Sequence, residues 1–137
     1  MEEWTLIDSI KYKRKVYNIY KRAHIKYIRG TLQPTFYKIE TRDCSCSIID
    51  VGHVFSNKIL LSDINISNQS KYTNIASDLL EFVELFVEDK IYQSGTIEAS
   101  YRIEGTNPLV HLHTDKGYHA EWFMCREQSY ARLTKTI

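Results

Sequence analysis

No run in this chain approaches the roughly 18 consecutive apolar residues that a membrane-spanning helix requires. The opening MEEWTLIDSIKYKRK lacks the charged, apolar, small-residue order of a secretory signal, so none is expected. Three cysteines, Cys44, Cys46 and Cys125, make no disulfide framework, and the cytoplasm is the expected compartment. Net charge is almost absent at +1, which removes any global argument for binding nucleic acid or a membrane surface. No Ser-His-Asp arrangement, P-loop or dinucleotide fingerprint is present. Repeats, linkers and low-complexity tracts are also lacking, so a single domain over 1–137 is expected.

What is present is an ordinary globular composition, 43% apolar and 26% charged over 137 residues, enough for a sizeable core. Ten tyrosines make it rich in aromatics. The chain is organised around Ile66 to Lys90, ISNQSKYTNIASDLLEFVELFVEDK, which reads as a strand end, a polar turn and an amphipathic helix. Ile75, Leu79, Phe82, Val83, Phe86 and Val87 form its apolar stripe, with Asp78, Glu81, Glu84 and Glu88 on the wet side. A strand feeding a helix N-terminus through such a turn gathers unpaired N–H groups and suits a phosphate, although this turn lacks the usual glycines.

Upstream, Trp4 to Ile7 reads as a short strand, and Asp8 as the cap of a helix reaching Arg29. Ile10, Tyr17, Tyr20, His24, Tyr27 and Ile28 recur at helical spacing. Eight basic residues and no acidic one lie between Lys11 and Arg29, read as a solvated helix face ahead of a polyanion contact. Gly30 to Pro34 is a turn. Three antiparallel strands follow: Phe36 to Thr41, Cys46 to Phe55 with Ile49, Val51 and Phe55 on one face, and Ile59 to Ile66. Their connections are Arg42-Asp43 and Ser56-Asn57-Lys58. After the central helix, Thr96 to Ile103 is expected to pair in parallel with the strand before it. Asn107-Pro108 opens a second helix that stops at Gly117, and Ala120 to Cys125 and Tyr130 to Ile137 are closing strands.

The expected fold class is α/β, an α+β mixed sheet with an N-terminal helix, antiparallel meander, crossover helix, parallel strand pair, C-terminal helix and strands. This order resembles the GNAT superfamily of acyl-CoA-dependent N-acetyltransferases, over roughly residues 36 to 125. In that family an Arg/Gln-x-x-Gly-x-Gly/Ala turn follows a strand-end aliphatic residue and precedes a helix with a Leu-Leu pair. Here Ile66 is the aliphatic residue, Lys71 takes the Arg/Gln position, Tyr72 a frequent extra glycine, and Asn74 and Ala76 the motif glycines. Ile75, Ser77, Leu79 and Leu80 match directly, and Asn107, Leu112, Gly117 and Tyr118 fit a downstream Asn, helix, Gly-Phe pattern. The resemblance implies an N-acetyltransferase moving an acetyl group from acetyl-CoA to a primary amine. It implies cofactor contacts at Ile64, Ile66, Lys71, Tyr72, Thr73, Asn74, Ile75, Ala76, Ser77 and Asn107. Asn74 tolerates positive φ, whereas a bulky Tyr72 forced there costs about 1–2 kcal/mol.

The same resemblance places a leaving-group acid at His113, where the family commonly has Tyr. The position where the family often has a Glu base holds Ser62 here, and Asp63 beside it is the candidate base, facing the other way unless a bulge re-aims it. His111, Glu98 and Tyr101 are further candidates. Cys44-x-Cys46 and His111-x-His113 have ligand-type residues, but the two histidines point about 200° apart on a helix, so no metal site is expected. The segment 1–35 is short for a two-helix acceptor pocket, leaving that pocket open or completed by dimerisation, so the chain is expected as a monomer or homodimer. The alternative reading is a non-catalytic GNAT-like module that binds nucleic acid or a protein through the basic helix 11–29.

Overall fold

The computed structural model describes residues 3–22, 27–28, 31–32, 34–52, 57–66, 72–103 and 108–137. Among these residues ten strands and two helices follow in chain order: β1 (Trp4–Tyr12), β2 (Lys15–Arg22), β3 (Tyr27–Ile28), β4 (Thr31–Leu32), β5 (Thr35–Thr41), β6 (Cys44–Asp50), β7 (Lys58–Ile66), α1 (Tyr72–Lys90), β8 (Thr96–Arg102), α2 (Pro108–Asp115), β9 (His119–Cys125) and β10 (Gln128–Thr136). Eight strands form one sheet in the order β1-β2-β5-β6-β7-β8-β10-β9, and β3-β4 is a separate short pair. Every pairing in the large sheet is antiparallel except β7 with β8, which is parallel. A strand, crossover helix and parallel strand is the arrangement expected of this mixed α/β sheet.

The helix expected over Asp8–Arg29 is not formed: residues 4–22 are the β1-β2 hairpin, and 23–26 and 29 lie outside the described residues. Its turn is Lys13-Arg14, both at positive φ (47° and 67°), the geometry of a two-residue hairpin that matches strand twist. β2 alternates, burying Tyr17 and Ile19 while Val16, Asn18 and Tyr20 face the other way. Tyr17 stacks on Phe82 with ring centroids 4.2 Å apart. A helix over these residues would turn Tyr17 and Ile19 onto different faces, and both could not enter the core. The basic block is therefore split. Lys13 pairs with Glu81 and Asp78, and Arg22 lies over the Phe36 ring at 3.6 Å.

The second meander strand starts at Cys44 and buries Cys44, Cys46 and Ile48; Ile49 and Val51 are only half-buried, and Phe55 lies outside the described residues. Burial pushes the Cys44 thiol up to about 11, and Cys46 is raised as well, so both behave as small core hydrophobes. The Gly30–Pro34 turn falls partly outside the described residues, with Thr31–Leu32 in β4. The expected Ser56-Asn57-Lys58 turn ends with Lys58 already in β7, and Ser56 is outside the described residues.

The stripe Ile75, Leu79, Phe82, Val83, Phe86 and Val87 is buried throughout and packs α1 on the sheet. α1 and α2 touch each other and so share one face of it. Burying six such side chains supplies on the order of 10 kcal/mol of hydrophobic stabilisation before entropy is counted. α2 ends in a double hydrogen-bonded cap: Tyr118 N–H donates to His113 O (3.0 Å) and Gly117 N–H to Thr114 O (3.1 Å). That geometry needs a left-handed residue, and Gly117 at φ 91° supplies it. No helix among the described residues is long and apolar enough to cross a membrane.

Candidate active site

β7 and β8 pair only through Lys58–Thr96, Ile59–Ile97 and Leu60–Glu98. Both strands then continue, β7 to Ile66 and β8 to Arg102, without further pairing, so a fork opens in the sheet. Beyond the Leu60–Glu98 rung the two strands no longer pair with each other. α1 follows the open end of β7, which brings the helix start to the same end of the sheet.

A β-bulge sits at that end. Ser62 pairs with Ser47 and Asn65 with Ser45, so Asp63 and Ile64 together stand opposite Cys46. Asp63 has φ 53°, is exposed, and its carbonyl accepts a hydrogen bond from Asn65 Nδ2 (3.0 Å). The bulge re-aims the chain where strict alternation had set Asp63 and Ser62 on opposite faces. Ile64 is half-buried and packs against the core.

The expected turn over Lys71–Ala76 is mostly helix. Tyr72 to Ala76 belong to α1, and no residue among them has positive φ, so neither Tyr72 nor Asn74 needs left-handed geometry. The helix simply starts earlier than the glycine motif would place it. Its first turn presents unpaired N–H groups and no acidic side chain. Asn74 is exposed, Ser77 half-buried, and Ile75 and Ala76 are buried beneath the helix, leaving their backbone as the part that can meet a ligand. Ile66 and the first-turn residues Tyr72 and Thr73 are described by backbone alone, and Lys71 and Asn107 lie outside the described residues.

His113 has 0% exposure. Its Nδ1 lies 2.7 Å from Leu109 O, which assigns the ring proton to Nδ1 and leaves Nε2 as an acceptor, 3.4 Å from the Tyr101 hydroxyl. Tyr101 and Tyr118 meet the imidazole edge-on at 5.3 and 4.8 Å. Burial lowers the His113 pKa, opposed by the Leu109 carbonyl, so the ring is neutral at pH 7. The Tyr118 hydroxyl is buried without a hydrogen-bond partner among the described residues. Tyr101 stands on the forked part of β8, half-buried, and links the fork to His113. His111 is exposed on α2, away from that contact. Glu98, on the last paired rung, is held by Lys58 at 3.0 Å.

A network outside the fork was not legible beforehand. Glu81 accepts from Tyr12, Lys13 and Lys116, tying α1 to the first hairpin and to the end of α2. These partners, Lys116 first and Lys13 next, hold its carboxyl down at about 2. Glu84 pairs with Lys135, which also donates to Lys116 O. No cluster of three or more His, Cys, Asp or Glu side chains able to hold a metal gathers among the described residues.

No protein-family model matches the sequence, and no curated protein matches it. Solved structures do. An acyl-CoA N-acyltransferase from Pseudomonas aeruginosa superposes with a TM-score of 0.58 at 10% identity, covering 76% of this chain and 70% of that one. An IAA acetyltransferase from Bacillus cereus ATCC 14579 superposes with a TM-score of 0.57 at 9% identity, covering 77% and 79%. With its mixed eight-stranded sheet, forked parallel pair and crossover helix, the chain has the fold of these acyltransferases.

Proposed function

We propose that the protein is an N-acetyltransferase that moves the acetyl group of acetyl-CoA to a primary amine. The observation that carries this reading is the fork between β7 and β8, with the Asp63 bulge and the start of α1 at its open end. A fork lets an extended thioester arm lie between two strands and bond to the backbone that borders it. The N-terminus of α1, with no acid in its first turn, suits the pyrophosphate. On this reading Ile64 and Ile66 border the arm. Lys71, Tyr72, Thr73, Asn74, Ile75, Ala76, Ser77 and Asn107 are the proposed cofactor contacts, of which Lys71 and Asn107 lie outside the described residues.

Acetyl-CoA supplies an activated acyl carbonyl; the chain's own residues must position the amine and move protons. A primary ammonium loses two protons in becoming an amide, and the departing thiolate takes one. Tyr101 and His113 form the carrier. The Tyr101 hydroxyl hands a proton to the bare Nε2 of His113 as it accepts one from the ammonium. A buried, low-pKa imidazolium readily returns that proton along the same path to the thiolate. Asp63, exposed on the bulge, passes the second proton to water. The acceptor itself is a primary amine of unassigned size.

A thermal-shift or calorimetric titration with acetyl-CoA tests the reading. Saturable stabilisation is expected, and no effect at about millimolar ligand would overturn it. The second reading is a non-catalytic binding module of the same fold. It is favoured by the 0% exposure of His113 and by the ion pair that occupies Glu98, and it predicts no turnover with any amine.

A further inference from the structure

Among the described residues β9 is an outer strand of the sheet, and its free edge is regular: seven successive pairs with β10, His119–Thr134 to Cys125–Gln128, show no register shift. The β9-β10 turn is the two-residue pair Arg126-Glu127, both at positive φ, so Cys125 and Gln128 are a hydrogen-bonded pair. Alternation then sends the N–H and C=O groups of Ala120, Trp122 and Met124 outward, away from β10. The side chains of these three share the face of Leu133 and Ala131, their neighbours across the ladder. Trp122 is 64% and Met124 67% exposed, among the largest exposed apolar side chains described.

Native sheets protect such edges with bulges, proline or charged side chains, lysine above all. β9 has no bulge, proline or lysine, and its one acid, Glu121, is paired to Arg132 of β10 at 3.7 Å, whereas the opposite edge, β1, carries a register shift between Leu6 and Asp8. We infer that β9 is the dimer interface of this protein, pairing antiparallel with β9 of a second copy about a twofold axis through Trp122.

The charges select that register. With Trp122 facing its own copy, Ala120 meets Met124, Glu121 meets Phe123, and His119 meets Cys125. All residues of the strand are then paired, with about six new backbone hydrogen bonds. Moving the axis to Glu121 sets two carboxylates opposite each other, which is destabilising. Moving it to Phe123 shortens the ladder. In the selected register one face of the seam is Ala120, Met124 and the two indoles, with no charge. A single seven-residue edge ladder is small beside the roughly 1,200 Å² at which stable interfaces begin, so the dimer is reversible. The inference is independent of acyl-CoA chemistry.

Sedimentation velocity from about 5 to 500 µM tests it. A monomer–dimer equilibrium is expected. Met124→Pro removes an outward N–H while leaving the β10 ladder whole, and Trp122→Arg sets two guanidinium groups on the axis. Each is expected to weaken association at least about tenfold with an unchanged circular-dichroism spectrum. His119→Cys is expected to give a disulfide-linked dimer under mild oxidation through the second copy's Cys125, abolished by adding Cys125→Ser. A monomer at every concentration, a dimer untouched by both edge variants, or a dimer that His119→Cys does not cross-link would each overturn the proposal.

Discussion

The Tyr101 hydroxyl of β8 lies 3.4 Å from the Nε2 atom of the fully buried His113 on α2, and the two rings meet nearly edge-on. Because Nδ1 is committed to the Leu109 carbonyl, Nε2 is the side of the ring open to proton exchange, and Tyr101 is its route to the fork. His113→Phe is expected to lower kcat by about 10- to 100-fold while acetyl-CoA affinity, read by calorimetry, stays within about twofold. Unchanged turnover would remove His113 from the reaction.

The same burial makes a stability prediction. The folded-state pKa of His113 is lowered, so between the unfolded value near 6.5 and the folded one only the unfolded chain takes up the proton. Stability is therefore expected to fall as pH drops below about 6.5, and His113→Phe should flatten that slope in urea melts.

Asp63 occupies a left-handed position in the bulge, where a non-glycine residue is strained by about 1 kcal/mol. Asp63→Gly should preserve or slightly raise the melting temperature, and Asp63→Val should lower it by several degrees. If the carboxylate serves as a base, Asp63→Gly also lowers kcat/KM near pH 7. A glycine variant with full activity would assign Asp63 to the bulge alone.

Glu81 is held at about 2 by Lys116, Lys13 and Tyr12, against an unfolded value of 4.5. A depressed carboxylate stabilises the folded state above the unfolded pKa and loses that contribution as pH falls from about 4.5 toward 2. Glu81→Gln should cost about 1 kcal/mol at pH 7 and flatten the acid limb of the stability curve. An unaltered acid limb would show that the three contacts do not persist in solution.

Arg14→Gly separates the hairpin of residues 4–22 from the helix expected over Asp8–Arg29. In a helix, glycine at this position would destabilise by about 1 kcal/mol. In the hairpin, Arg14 has φ 67°, so glycine should stabilise by a similar amount. The sign of the shift in chemical denaturation decides.

Most of the fold could be read along the chain because its signals are local. The six apolar residues of α1 recur at helical spacing and are all buried. Gly117 stops α2 with the left-handed geometry that only glycine adopts easily. The meander strands and β8 appear within a few residues of where alternation and turns place them. The first hairpin was hidden because its turn is Lys13-Arg14, where such turns ordinarily carry Asn-Gly, and because Tyr17 and Tyr20 also fit a helical spacing.

What the sequence determined by itself, then, is the amphipathic α1, the glycine stop after α2 and the alternation of most strands, since each depends on residues within a few positions of one another. The tertiary structure decided the rest. Burial of Tyr17 and Ile19 beneath α1 turned a helix-compatible segment into strands, because packing against Phe82 outweighs a weak local preference. The bulge at Asp63 exists only relative to its partner β6, where two residues must share one partner. The neutral state of His113 follows from its burial against Tyr101 and Tyr118, which outweighs the opposing Leu109 carbonyl, a low-dielectric setting assembled only when the sheet and its helices close together.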